Sequence, residues 1–302
     1  MEYAAVRLFA LCALMFPVEL NLGTARLLGR LWYVLFPRHR QRARANLVAS
    51  FGNSLDEAEV SRLTLRSMQQ MTMMAMEVLF TPRLVNEWTW PRYVRPRDLS
   101  ELVRLLLDGR GVIMLTGHYG NWELLGFTLA ALGFDLVAVM RPLDNPYLND
   151  WLVRTRRLRG LKVLYKKGAM QSAEEVLRRG GALCFIADQD AGRKGLFVDF
   201  FGRPASTYKS IGLLAMECEV SIAVGFARRA GQGFFYEVGV HRIIRPQEWR
   251  DRHDPLGWVT QEYSAALEAI IREAPEQYLW VHRRWKSQPG PRRTAGPMAA
   301  SV

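Results

Sequence analysis

Between Thr116 and Glu123 the chain reads Thr-Gly-His-Tyr-Gly-Asn-Trp-Glu, an imidazole and a carboxylate separated by four residues and set among glycines. The apolar run 111–116 reads as a short strand, and residues 122–132 read as a helix stopped by Gly133. Open α/β sheets place their ligands at such a junction, outside the carboxyl ends of the strands. Gly117 and Gly120 let the backbone turn sharply and approach a substrate closely. Asn121 is the expected N-cap of the helix, which then aims free N–H groups and its positive dipole end at the same spot. With His118 in the loop and Glu123 in the first helical turn, the two side chains are expected to meet. A carboxylate bonded to one ring nitrogen fixes the tautomer and leaves the other nitrogen to take a proton from an alcohol. General base action of this kind contributes about 10² to 10⁴ in rate.

Other chemistries have weaker support. The spacing differs from the zinc pattern in which two histidines share one helix face, so no metal or other cofactor is expected. Cys12, Cys184 and Cys218 are odd in number, far apart and set among apolar neighbours, which reads as core packing rather than disulfides. Ser206-Thr207-Tyr208-Lys209 fits the Ser-x-x-Lys pattern of serine acyl-enzymes, but its companion elements are absent.

The elements that must position His118 follow from periodicity. Helical patterns at residues 99–107, 122–132, 146–158, 172–179, 209–218 and 256–274 alternate with apolar strands at 111–116, 136–140, 182–187 and 221–226, and a strand at 234–240 is placed to pair with the last. This alternation predicts an α/β domain with a mainly parallel central sheet flanked by helices. Upstream, residues 55–80 read as a helix capped by Ser54 with Glu57 as its capping-box partner, carrying a methionine patch suited to core packing or to acyl-chain contact. Residues 82–96, rich in tryptophan and proline, read as a connector or a short edge strand.

The formal net charge of +12 calls for an anionic partner, nucleic acid or lipid head groups. Residues 8–22 and 27–36 are apolar but shorter than the roughly 20 residues of a clean bilayer span. The basic run Arg38-His39-Arg40-Gln41-Arg42-Ala43-Arg44 follows directly, as expected of an anchor helix on an anionic cytoplasmic leaflet. The division predicted is an anchor over 1–37, a catalytic domain over 38–289 and a disordered tail over 290–302. No nucleic-acid-binding signature accompanies the charge, so nucleic acid is not the expected partner.

The stretch from Gly117 to Glu123 resembles the His-four-residues-acid motif of the glycerolipid acyltransferase superfamily, in the glutamate form of the lipid A biosynthesis acyltransferases. Further blocks agree in order: Arg44-Ala45-Asn46-Leu47, Arg141-Pro142-Leu143-Asp144-Asn145-Pro146, Asp188-Gln189-Asp190, 197–207 and 275–286. One departure is Asp199, where the family often carries proline. The resemblance implies an acyl carrier protein thioester as donor, an anionic glycolipid hydroxyl as acceptor, and a site on the cytoplasmic face of the inner membrane. Related enzymes of the superfamily acylate phosphatidylinositol mannosides or other glycolipids. It implies His118 as base with Glu123 orienting and charge-stabilising it, and oxyanion donors from the amides near Gly120 together with an arginine, assigned to Arg157 or a neighbour. Arg141, Asn145, Asp188 and Asp190 are expected to bind the acceptor or shape the cleft, and the cations of 282–286 to meet phosphate or carrier-protein acids.

Overall fold

A computed structural model describes residues 2–165 and 170–290, so the tail expected from 290 lies, apart from Gly290, outside the described residues. In chain order the elements are α1 (Glu2–Leu14), α2 (Val18–Leu35), α3 (Pro37–Phe51), α4 (Glu57–Leu84), β1 (Val94–Arg97), α5 (Ser100–Leu107), β2 (Val112–Thr116), α6 (Trp122–Ala131), β3 (Leu136–Met140), α7 (Pro146–Arg157), β4 (Lys162–Tyr165), α8 (Met170–Arg178), β5 (Ala182–Ile186), β6 (Leu196–Phe200), β7 (Arg203–Thr207), α9 (Lys209–Glu217), β8 (Ser221–Arg229), β9 (Tyr236–Ile244), α10 (Pro246–Trp249) and α11 (Pro255–Glu273). The α/β alternation read from periodicity is present. Among the described residues the sheet runs β1-β9-β8-β2-β5-β3-β4, parallel except where β9 returns against β8.

Local expectations are corrected at the start of α4 and at three short strands. Ser54 does not cap α4: its hydroxyl donates back to Phe51 O, and Asp56 with Glu59 forms the capping box instead. Of the two readings of the segment 82–96, the edge strand is present as β1, parallel to β9, while α4 continues through Pro82 to Leu84. The periodicity also passes over β4 and the β6–β7 hairpin, whose short strands alternate too little to stand out. At that hairpin Asp199 Oδ1 accepts from Gly202 N at 2.9 Å and closes the turn.

Two clusters of buried apolar side chains cover the two faces of the sheet. Met73 and Met76 lie in one of them, and Met68 and Met74 are also buried, so most of the methionine patch is packing. Cys12, by contrast, is exposed. The first helices share that cluster: Ala13, Val18, Leu22 and Ala25 pack with α4 and the sheet rather than forming a separate body. Where α2 crosses α4, a Cβ on Gly29 would stand 2.5 Å from Gln69 Cα, so the approach requires glycine.

The opposite face of α2 is apolar as well. Leu20, Leu27, Leu31 and Leu35 point outward at helical spacing while Val18, Leu22, Ala25 and Gly29 point inward. Leu8, Phe9, Leu11, Met15 and Phe16 extend the exposed apolar surface over α1 and the turn that follows it. No described helix is long and apolar enough to cross a membrane.

Candidate active site

The register of the sheet decides what stands beside His118. Strands β2 and β5 are parallel neighbours with Thr116 paired to Ile186, so the second residue beyond each strand end leaves the sheet side by side. Those residues are His118 and Asp188. The Asp188 carboxylate, 2% exposed, accepts from His118 N at 2.8 Å through Oδ2 and lies 2.7 Å from His118 Nδ1 through Oδ1. An ionised carboxylate can only accept, so the ring proton is assigned to Nδ1 and Nε2 carries the lone pair. Nε2 faces a cleft of about 890 Å³ also lined by Ile186, Gln189 and Tyr208, and the Gln189 side-chain amide lies 3.4 Å from it.

The charges of the pair follow from this contact. Burial works against a charged His118, but the Asp188 charge and hydrogen bond outweigh it with help from the Glu123 charge, so the imidazole titrates above 6.5. Burial likewise opposes an ionised Asp188. The His118 charge and the bonds from the His118 side chain and backbone prevail, drawing the carboxyl down to about 2. A second imidazole, His282, stacks on His118 with ring centroids 6.3 Å apart, and burial holds it below the ordinary histidine range.

Glu123 is placed differently from the expected contact. Its carboxylate forms a two-point pair with Arg156, at 2.9 Å to Nε and 2.5 Å to Nη2, and both side chains are largely buried. The carboxylate that hydrogen-bonds the imidazole is Asp188, and Glu123 reaches the ring through its field. Successive side chains on α7 diverge by about 100°, so Arg156 faces α6 and Glu123 while Arg157 is exposed. Beside this pair a narrow slot of about 80 Å³ runs between α6 and the sheet, lined by Gly126, Leu161 and Cys184 among others. It shares Val139, Met140, Phe185 and Ile186 with the larger cleft.

The loop itself is anchored by its backbone, which changes the expected roles of Gly120 and Asn121. Gly120 has φ +58°, and its N–H donates to Gln277 O at 3.0 Å, so that amide is occupied and does not face an oxyanion. The close approach that demands glycine is to strand β8: an added Cβ would stand 1.9 Å from Ala227 O. Asn121 caps α6 as expected, accepting from Leu124 N at 3.1 Å, but it is fully buried and touches no cleft.

Other expected residues divide between rim and scaffold. Arg141 lines the cleft and pairs with Asp144 at 3.1 Å, both largely in solvent. Asn145 caps α7 and donates to Glu2 Oε2 at 2.8 Å, tying that turn to the first helix. Asp190 accepts from Ser287 N and Oγ at 3.2 and 2.9 Å, which fastens the C-terminal segment. Asn46 does the same from the other side, donating to Trp280 O at 2.8 Å and His282 O at 3.1 Å. Arg284 is 2% exposed and holds Thr207 Oγ1 at 2.6 Å, so it supports the cleft wall instead of meeting a partner. Ser206 is fully buried with its hydroxyl donated to Gly192 O, which removes it as a nucleophile.

A buried carboxylate–imidazole pair thus stands at the strand ends of a largely parallel α/β sheet, beside a cleft with an apolar side slot. The sequence profile of the bacterial lipid A biosynthesis acyltransferases matches residues 3–287. The chain belongs to that family, and the protein is an acyltransferase. It is 28% identical over 289 residues to the lipid A biosynthesis palmitoleoyltransferase of Escherichia coli K12, covering 91% of this chain and 87% of that one. The lauroyltransferase of the same organism is 26% identical, covering 93% and 90%. A phosphatidylinositol mannoside acyltransferase of Mycobacterium tuberculosis H37Rv is 28% identical over 144 residues, 46% of each chain.

Proposed function

We propose that this acyltransferase moves a fatty acyl group from an acyl carrier protein thioester to a hydroxyl of a lipid A precursor, with His118 as general base. The observation that carries this reading is the unprotonated Nε2 of an imidazole whose other nitrogen is held by Asp188, at a cleft beside an apolar slot. The acceptor O–H gives its proton to Nε2, and its oxygen attacks the thioester carbonyl. The resulting tetrahedral oxyanion expels the thiolate by breaking the C–S bond, and the imidazolium returns its proton to the sulfur. Asp188 holds the ring in the required tautomer, and Glu123 adds negative charge that favours the transient imidazolium. The Gln189 side-chain amide, beside Nε2, is a donor suited to the oxyanion. Exposed Arg141 at the cleft rim suits an anionic head group. The test is incubation of the protein with defined acyl carrier protein thioesters and candidate acceptors, followed by mass analysis. A product one acyl group heavier than the lipid A precursor is expected; acylation of phosphatidylinositol mannoside instead would reassign the acceptor toward the mycobacterial relative.

The slot beside Glu123 is where the acyl chain is proposed to lie. Gly126 faces it, and a Cβ there would meet only Leu161 methyl carbons at 3.8 and 3.9 Å, an ordinary contact. Bulk added at this position therefore projects into the slot, while the helix loses a glycine and keeps its stability. Gly126→Leu is expected to lower kcat/KM for the longest accepted acyl chain by about tenfold or more relative to a shorter one. Competition between two thioesters of different length measures this ratio, and an unchanged preference would move the chain elsewhere.

The protein is further proposed to lie on the cytoplasmic face of the inner membrane, through the exposed apolar surface of α1 and α2. That surface is followed at once by the cations of α3, which suit anionic head groups. Leu27→Glu combined with Leu31→Glu is expected to weaken sedimentation with phosphatidylglycerol vesicles by about tenfold or more, given about 1.5–3 kcal/mol per buried leucine. Because both side chains are exposed in the fold, the unfolding midpoint should hold.

A further inference from the structure

Behind the catalytic loop, on the side away from the cleft, lies a polar cluster that takes no part in the chemistry above. Its centre is Glu77 of α4, fully buried. The carboxylate accepts from Arg229 Nη2, from the Tyr236 hydroxyl and, at 3.0 Å, from Asn121 Nδ2. Arg229 is itself buried; its Nε bonds Gln70 Oε1 at 3.0 Å and its Nη1 bonds Gly233 O at 2.8 Å. Its main chain exchanges two hydrogen bonds with the Gln277 side chain, at 2.8 and 3.0 Å, and Gln277 O accepts from Gly120 N. The cluster thus reaches the loop 117–121 at both of its last two residues.

A buried ion pair is weak evidence for stability, because desolvation of two charges offsets most of their attraction. Its geometry here points to a task of orientation. The Asn121 amide must present Oδ1 to Leu124 N to cap α6, which leaves Nδ2 needing an acceptor. Glu77, paired with Arg229, presents an oxygen that accepts this hydrogen bond, and so holds the amide against flipping. Asn121 N is meanwhile fixed to Ala227 O at 2.9 Å, and His118 stands three residues earlier on the same short loop.

We infer that Glu77 is a positioning residue for acyl transfer, fixing the His118 loop through Asn121. The inference rests on His118 as the base proposed above. Hydrogen-bonded partners of metal ligands change affinity or activity by about 10- to 100-fold when removed, and an effect of the same order is expected of this support. Glu77→Gln is therefore expected to lower kcat by about that factor with KM within threefold, measured on the full chain with the lauroyl thioester of acyl carrier protein and a lipid A precursor. Asn121→Asp sets two carboxylates face to face and should lose at least as much. Combining the two changes restores a donor and an acceptor in reversed order, and kcat should recover by about tenfold or more over Asn121→Asp alone. A role confined to stability would show in the unfolding midpoint and would give no such recovery of kcat in folded protein. A folded Glu77→Gln variant with kcat within twofold of the unsubstituted protein overturns the inference, and so does a folded double variant no better than Asn121→Asp. Where Asn121→Asp does not fold, the Glu77→Gln comparison decides alone. His118→Ala in the same assay separates the two readings. Transfer that survives it overturns the base assignment and this inference together, whereas His118-dependent transfer indifferent to Glu77→Gln overturns only the latter.

Discussion

Asp188→Asn is expected to abolish nearly all acyl transfer while leaving the loop geometry intact. The wild-type carboxylate accepts twice, from His118 N and from the ring at Nδ1. An amide offers one acceptor oxygen and one donor nitrogen. If the oxygen keeps the backbone N–H, the NH₂ group faces Nδ1 and can be satisfied only by a ring whose proton has moved to Nε2. The nitrogen that should take the alcohol proton then already carries one. The same tautomer reversal in a serine-protease triad lowers kcat by about 10⁴, and a loss of that order is expected here. Steady-state kinetics decide the matter, with thioester binding expected to change by only a few-fold. A loss below about tenfold would return the orienting role to Glu123.

The pH profile offers a second reading of the same contact. Because His118 titrates above 6.5, the wild-type kcat/KM should rise with pH through an inflection above that value, as the ring becomes a free base. Removing the Asp188 charge should lower the inflection in whatever activity remains. For stability the sign is the opposite at the carboxylate. Asp188 is drawn from 3.8 to about 2 in the fold, so its contribution is present above the unfolded value and lost as pH falls toward about 2.

Replacing His118 removes the proposed proton acceptor itself. General base action contributes about 10² to 10⁴, and His118→Ala should lose at least the lower figure in kcat with KM little altered. Alanine also leaves Asp188 buried with one of its two partners gone, so the unfolding midpoint should fall as well. His118→Gln separates the two effects. Its side-chain amide can donate toward Asp188, preserving part of the support while remaining useless as a base, so its stability should recover and its activity should not. Loss of less than tenfold in both variants would contradict the assignment of His118 as the base.

His118 was legible in the sequence because everything that singles it out is local. A strand, two glycines, an N-cap and a helix follow one another within about twenty residues, and each is dictated by side chains a few positions apart. Asn121 as cap, the α/β alternation and the apolar first helices were readable for the same reason. So were the separate blocks of the family, though not what they do together: Asn46 and Asp190 fasten the C-terminal segment from opposite sides. The partner of the imidazole was a different kind of question. Asp188 lies 70 residues from His118, and only the adjacency and register of β2 and β5 bring the two together. Glu123 is five residues away and was the natural choice on spacing, yet the turn of α6 directs it to Arg156. Glu77 is more distant still, and nothing in its neighbourhood distinguishes it from any other helical glutamate until Arg229, Tyr236 and Asn121 close around it. Short-range sterics and hydrogen bonding therefore set the loop that presents His118, the proposed base. Which groups would hold and charge it depended on strand order and burial, which arise only when distant segments pack against one another and water is excluded between them.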